Sequence, residues 1–585
     1  HSLRAAAVAG CVAFAPLLGP TIAAADATPL SAADVQRYER IFELQDRGRW
    51  SAADREISRL DDRLLLGHVK AQRYLHPTAW RSKFKDLRDW MRAYRDHPDA
   101  ARIYRLAMKR RPGGWTAPPK PTTRPLKGFG GDIVERDERY EPTDRRARAQ
   151  RREARRLRNI ARYRLRKGWP TGASEILGSR AARNAFDQGA LDQLWGRTAA
   201  GFFFAGDDSE AFRVGRAAGQ RSPHVAHEAN WFAGLAAWRM GRFDDARAAF
   251  EAAVRSRGAG GWTKSAAAYW AARANIRVGR PERSSGWLLE AADEPYTLYG
   301  QLAADQLGVD PGFDFDRSPA TTVDISALTL APAGRRAAGL LQVGQTHRAE
   351  QELRSLWPGA SPHRRKAIMA VAMQENMASL SLYLGWDAHR KDGRVFDAAL
   401  YPEPAFEPNG GFAIDRALLF AIMRQESAFM PHARSHAGAR GLMQVMPGTA
   451  RLVARQRNIG GVKRSTMYDP GLNMQLGQTY IDMLKRERTI PDTLFHIVAS
   501  YNAGPGNVAK WETRSRHGGD PLLFIEAIPF TETRDYVKKV VSNLWIYRAR
   551  FGQDAPSLRA VAANAWPQYQ PQDGDVAAAA RNARY

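Results

Sequence analysis

The side chain best placed to move a proton is Glu426. It lies on a segment, Asp415 to Phe429, that reads as an amphipathic helix with Asp415 as its N-cap. The apolar stripe of that helix is Leu418, Leu419, Ile422, Met423 and Phe429, and Glu426 falls on the same stripe, four residues after Ile422. A carboxylate among apolar neighbours is desolvated, which raises its pKa toward the range of a proton donor at neutral pH. By position alone, a buried and hydrogen-bonded structural glutamate fits equally well.

The surrounding segments favour chemistry. Pro431 ends the helix, and the loop after it carries Ser435, Gly438 and Gly441, glycines that let backbone approach a ligand closely. Leu442-Met443-Gln444-Val445-Met446-Pro447 leads into a new helix with Thr449 as its expected N-cap. Gln444 is expected as a buried amide beside the glutamate, able to bind a sugar or order the carboxylate. Met446 is a candidate substrate contact, although core packing is the commoner use of methionine. Ser500-Tyr501-Asn502-Ala503-Gly504-Pro505-Gly506 closes another helix on a turn that directs the Tyr501 hydroxyl into the same cleft. The last helix opens at Ile528-Pro529-Phe530-Thr531-Glu532, with Thr531 suited to the N-cap and Glu532 to the positive end of the helix dipole. The histidines show no HExxH spacing, and neither a phosphate-cradling glycine loop nor a nucleophile elbow occurs, so no metal or cofactor is expected. His496 reads as a packed helix residue.

Gln425-Glu426-Ser427, then GARGLMQVMP, SYNAGPG and IPFTETRDYV, in this order and spacing, resemble the soluble lytic transglycosylases of bacterial cell walls. The resemblance is dense over the last quarter of the chain before the tail. It departs at Ser500, where the family usually has alanine. It implies a lysozyme-like helical domain that cleaves the bond between N-acetylmuramic acid and N-acetylglucosamine in peptidoglycan and leaves a 1,6-anhydro end. Glu426 matches the family's single catalytic acid/base, and Ser435, Gln444, Tyr501 and Glu532 match its cleft positions. The residues agree with a one-carboxylate scheme, since no second acid in these segments must face the first and the substrate's N-acetyl group can take its place. Alternatives are a lysozyme-type muramidase on the same fold, with water in place of the sugar hydroxyl, and a non-catalytic peptidoglycan-binding scaffold.

These side chains must be positioned by helices. From about Leu30 to Leu400 the pattern is helical, without sustained two-residue alternation. Gly48, Gly168, Gly241, Gly279 and Gly344 each stand between helical segments, most fully in Gly241-Arg242-Phe243 followed by Ala246, Phe250 and Ala253. Such a unit is a helical hairpin: glycine leaves one helix with positive φ, the aromatic wedges between helices, and alanine permits close packing. The uneven spacing points to degenerate tetratricopeptide-like hairpins rather than a regular array. The expected fold is therefore all-α: a curved superhelix over 30–330, then, as the resemblance implies, a small helical linker domain over 331–400 and a lysozyme-like domain over 405–552. The Pro/Gly-rich insert 111–142 is expected as an ordered wrap or a loop. Residues 145–167 read as an arginine-dense helix, and the tail 553–585 as disordered.

The chain has 585 residues, of which 44% are hydrophobic and 25% charged, which excludes wholesale disorder, and its net charge is +27. That balance suits an anionic polymer, here glycan strands bearing acidic stem peptides, and the arginine helix is either part of that surface or a solvated face. Nucleic acid is not expected, because no stacking aromatics interleave with the arginines and no nucleic-acid motif accompanies them. Cys11 is the single cysteine, so no internal disulfide forms. A basic start and an apolar run to Ala25 read as a signal peptide, 1–25, and hence a periplasmic location. Val8-Ala9-Gly10-Cys11 also looks like a lipobox, but the apolar run continues past it, which disfavours lipid anchoring through Cys11 at the outer membrane.

Overall fold

The computed structural model describes residues 28–576 apart from 77, 124, 127, 129, 139, 141–146, 318 and 575, so the expected signal peptide and Cys11 lie outside the described residues. Among the described residues the chain is all-α. The only β pairing among the described residues is two isolated bridges, Arg434 with Arg440 and Arg440 with Val445. No helix among them is long and apolar enough to cross a membrane.

The chain forms two compact units, and both are discontinuous in sequence. The first joins the chain up to Gly128 with Arg317–Leu380. Leu30 N donates to Gln342 Oε1 across 3.1 Å, and Arg336 donates to both carboxylate oxygens of Glu352, which also receives His68 at 2.7 Å. Residues 331–380 thus return to the N-terminal helices instead of building a separate linker domain over 331–400.

The second unit joins Phe129–Asp316 with Ser381–Tyr585. Its first part stacks helical hairpins from Gln188–Ala205 to Leu298–Leu307, each helix packed on the next. Gly241 shows how one turn is made. Its φ of 74° lets Arg242 N reach back to Ala237 O at 2.8 Å, a reversal that side chains with a Cβ disfavour. Phe243 then meets Trp238 at 5.1 Å, and Ala246, Phe250 and Ala253 are fully buried behind it. The arginine-dense helix spans Arg148–Arg166 and buries Ala154, Leu157 and Ala161 on one face. The insert holds no helix or strand where it is described, and turns at Gly113–Gly114.

Helix starts differ from expectation at two places. The helix Pro447–Arg457 begins after Met446, not Thr449, because Pro447 has the pre-set φ that suits a first helical residue. The last long helix, Thr531–Arg550, starts after Phe530, whose carbonyl accepts from Arg534 N at 2.9 Å, so Thr531 is its first residue and not its cap.

The tail is the largest correction. Residues 553–574 are ordered, with a helix at Pro556–Ala562, and they wrap back onto the unit. Trp566 packs on Phe524 and His496, and Asp573 Oδ2 accepts from Arg416 N at 2.8 Å. Tail composition reads as solvated, but Trp566, Tyr569 and Asp573 find partners on a surface that only the folded unit presents.

Candidate active site

Glu426 sits on the last turn of the helix Arg416–Ser427, with Leu418, Leu419, Ile422 and Met423 at no more than 1% exposure beneath it. The start of this helix is fixed by the tail. Asp415 holds the N-cap position, yet its carboxylate turns away to accept from Gln572 N at 3.0 Å and Asp573 N at 3.1 Å, while Asp573 caps Arg416. The end of the helix is unusual: Ala428 and Phe429 take φ of 46° and 62° although neither is glycine. Gln444 does the same at 46°. Non-glycine residues in this region carry about 1–3 kcal/mol of strain each and persist where surrounding packing enforces them, most often at functional sites.

Three hydrogen bonds link the four segments. Tyr536 Oη donates to Glu426 Oε1 at 2.8 Å. Thr533 Oγ1, on the same helix as Tyr536, donates to Asn502 Oδ1 at 2.7 Å. Tyr501, next to Asn502, donates its hydroxyl to Met443 O at 2.8 Å. The Gly441–Met446 turn is in turn gripped by Asn473, which accepts from Met443 N at 2.8 Å and donates to Arg440 O at 2.9 Å. A Cβ on Gly441 would lie 2.3 Å from Asn473 Nδ2, so this glycine admits a protein amide rather than a ligand.

Burial is what sets the acid. Glu426 keeps some surface, but protein atoms crowd its carboxyl group and push its pKa up to about 7. The neighbouring charge of Glu532 pushes the same way, and the Tyr536 hydrogen bond opposes both by favouring the carboxylate. Burial also holds the Tyr536 and Tyr501 hydroxyls well above their ordinary range, with the Glu426 charge adding to it, so both stay protonated donors.

The expected residues do not all converge on the acid. Glu532 is exposed, and its charge reaches Glu426; Tyr501 is coupled to Glu426 in the same way. Gln444 spends its amide nitrogen on Gly441 O at 2.8 Å and Ala433 O at 3.1 Å, so it ties the loop instead of ordering the carboxylate. Ser435 Oγ accepts from Ala439 N at 3.0 Å within the same loop. Met446 is 42% exposed and belongs to no core. Tyr536 is the residue that sequence reasoning missed. It stands four residues after Glu532 on the same helix face, a position that becomes informative only once Glu426 is placed beside it.

Glu426 also borders a cavity of about 240 Å³ that none of Ser435, Gln444, Met446, Tyr501 or Glu532 lines. Its walls include Arg424, Lys539 and Asn543 from the two long helices, Trp262, and Gly130 to Ile133 of the insert. Elsewhere, His68, His97 and Glu352 of the first unit bring possible ligand atoms within 4.8 Å of one another. Arg336 occupies both oxygens of Glu352, so that cluster is a buried ion-pair network in which a dication would have to displace a guanidinium.

Residues 403–524 match the Transglycosylase SLT domain, and residues 527–556 match the Soluble lytic transglycosylase helical domain. The soluble lytic murein transglycosylase of Escherichia coli (strain K12) is 31% identical over 296 residues, which is 50% of this chain and 44% of that protein. The one from Salmonella typhimurium is 31% identical over 291 residues, 49% of this chain and 44% of that protein. The chain spans less than half the length of these curated relatives. The solved complex of the 70-kDa soluble lytic transglycosylase with bulgecin A covers 92% of this chain and 99% of its own at 18% identity and a TM-score of 0.54, a likeness of fold. The matched residues include Glu426, Gln444 and Tyr501 in 403–524 and Glu532 and Tyr536 in 527–556, and over this region the chain is similar to the soluble lytic murein transglycosylases.

Proposed function

We propose that this chain is a peptidoglycan lytic transglycosylase, with Glu426 as its single acid/base. The observation that carries the reading is the crowded carboxyl of Glu426, with a pKa of about 7 and one oxygen held by Tyr536. At neutral pH a large fraction of such a group is protonated, and with Oε1 occupied the proton is presented from Oε2. Glu426 gives that proton to the glycosidic oxygen as the bond to the muramoyl C1 breaks. The substrate's acetamido oxygen attacks C1 and holds it as a cyclic intermediate, as in other enzymes that borrow a substrate group as nucleophile. The C6 hydroxyl then attacks C1, the acetamido group is released, and the Glu426 carboxylate takes the hydroxyl proton back. A 1,6-anhydro end results and no water is consumed. Tyr501 and Glu532 flank the acid, while Ser435, Gln444 and Met446 shape the loop that would border the glycan. The lysozyme-like domain over 405–552, export by residues 1–25 to the periplasm, and acidic stem peptides as the partner of the +27 chain belong to the same reading.

The test is mass spectrometry of glycan released from purified sacculi. Anhydro ends, lighter by one water than hydrolysed ends, are expected from the wild type and none from Glu426→Gln. Hydrolysed ends would replace the reading by a muramidase, full digestion by Glu426→Gln would remove Glu426 as the acid, and no glycan released by the wild type would leave only a binding protein.

A further inference from the structure

The insert was assigned no role from its sequence, yet part of it walls the cavity beside Glu426. Residues 130–138 form no helix or strand, bend at Ile133 and Val134, and are held at both ends of the stretch by side chains. Asp132 accepts from Lys539 Nζ at 2.9 Å, from Trp262 Nε1 at 2.9 Å and from Val134 N at 3.2 Å. Asp137 accepts from Gly260 N at 2.8 Å and Thr263 Oγ1 at 3.0 Å, while Glu135 O accepts from Gly261 N at 2.9 Å. Several of these donors lie at or just before the start of the helix Gly261–Arg277, whose positive end suits two aspartates. Burial opposes ionisation of Asp132, but the Lys539 ammonium and these hydrogen bonds outweigh it and hold its carboxyl below the usual range.

The other partner of Asp132 reaches the catalytic helix pair directly. Lys539 stands three residues after Tyr536 on the helix Thr531–Arg550, hence on the same face and about one turn further along. One face of one helix therefore carries the hydroxyl that holds Glu426 and the ammonium that holds the insert. We propose that residues 130–138 are a strap closing one side of the Glu426 cavity, and that Asp132 and Lys539 are positioning residues that keep it shut. This goes beyond the acid role of Glu426 given above and rests on it. Gly130 and Gly131 let the strap lie flat: a Cβ on Gly131 would come within 2.7 Å of Trp386 Nε1, which packs behind it. A shut strap limits exchange between bulk water and the cavity beside Glu426, and burial is the largest cause of that group's raised pKa.

The charged and titratable groups around Glu426 make the test specific. Its own helix supplies Arg424, the last long helix Glu532, Tyr536 and Lys539, the helix Leu494–Ala503 Tyr501, the strap Asp132 and Arg136, and the remaining wall Tyr296 and Tyr401. Three variants open the strap with different changes of charge. Asp132→Asn removes a negative charge, Lys539→Met removes a positive one, and Gly260→Ala removes none, since its Cβ would press to 2.4 Å from strap backbone at Glu135 and Arg136. Opening hydrates the carboxylate, so all three should move the alkaline limb of the pH–kcat profile on sacculi to lower pH, by about one unit. Acting only through space, Asp132→Asn would lower the acid's pKa and Lys539→Met would raise it. Opposite shifts for those two, or an unmoved limb in Gly260→Ala, would overturn the proposal. A thermal midpoint measured on each variant identifies a purely structural role, which would lower stability and leave the limb in place; that too would overturn it. Product analysis keeps this separate from the reaction itself, because hydrolysed ends from the wild type would refute the transglycosylase reading without moving the limb.

Discussion

Replacing Tyr536 with phenylalanine removes one oxygen and tests the central interaction. Its hydroxyl donates to Glu426 Oε1 at 2.8 Å and is itself buried, so Phe fills the same space and deletes only the hydrogen bond. A hydrogen bond to a charged group contributes about 1.5–3 kcal/mol. Because the donor favours the carboxylate over the neutral acid, losing it disfavours the charged form. At 1.36 kcal/mol per unit, the pKa should climb by about one to two units above its present value. The direction is opposite to that of the strap variants, which hydrate the same carboxyl. The assay is kcat against pH on purified sacculi, following soluble glycan. The alkaline limb should move to higher pH, so that the variant retains proton-donor capacity where the wild type has lost it. On the proposed mechanism the maximal rate should fall, since the carboxylate that takes the proton back from the sugar hydroxyl lacks its orienting partner. A limb that stays in place, or that moves to lower pH, would show that Tyr536 does not bear on the acid, and the reasoning from this geometry would fail.

Glu426 itself should cost stability at high pH. Its pKa is raised by folding, so the associated stability is present at acid pH and is lost as pH rises through about 7. Glu426→Gln should therefore melt higher than the wild type at pH 8 and lose that advantage at pH 4, as measured by calorimetry. Asp573→Ala removes the group that caps Arg416 N, and loss of a cap typically costs about 1 kcal/mol; the thermal midpoint should drop, and truncation after Gly552 should lower it further and reduce activity. The arginine helix presents Arg152, Arg155 and Arg166 exposed, opposite its buried Ala154, Leu157 and Ala161. Converting these three to glutamine should weaken binding to sacculi and flatten its salt dependence, measured by pelleting, with turnover of short soluble glycan unchanged.

What could be read from the residues and what could not divide along a physical line. Helices with apolar stripes were legible because periodicity is local, and Glu426 was legible because a charge on such a stripe is an anomaly that needs explaining. The hairpin turns were legible because glycine at Gly241 or Gly279 marks a backbone that other residues avoid, and both indeed have φ of 74°. The cleft list was read from types and spacing, and here it fared unevenly. Gln444 is the sort of residue that binds sugar, yet its positive φ turns its amide onto Gly441 and Ala433, a constraint invisible without the fold. Tyr536 escaped notice for the converse reason. Nothing in its surroundings is anomalous until residue 426 is brought within 2.8 Å from 110 positions away. The tail and the insert were misjudged or left open because low apolar content says only that a segment cannot build a core of its own. It does not say that the segment lacks a surface to lie on. Asp573 at the helix start and Asp132 at the cavity wall are polar residues of this kind, and each takes its order from donors on an element folded elsewhere in the chain. A site assembled in this way has its proposed proton donor encoded locally and the burial of that donor encoded at a distance. Substitutions that alter the acid's pKa should accordingly be found as readily in the insert and the tail as in the segments that resemble the family.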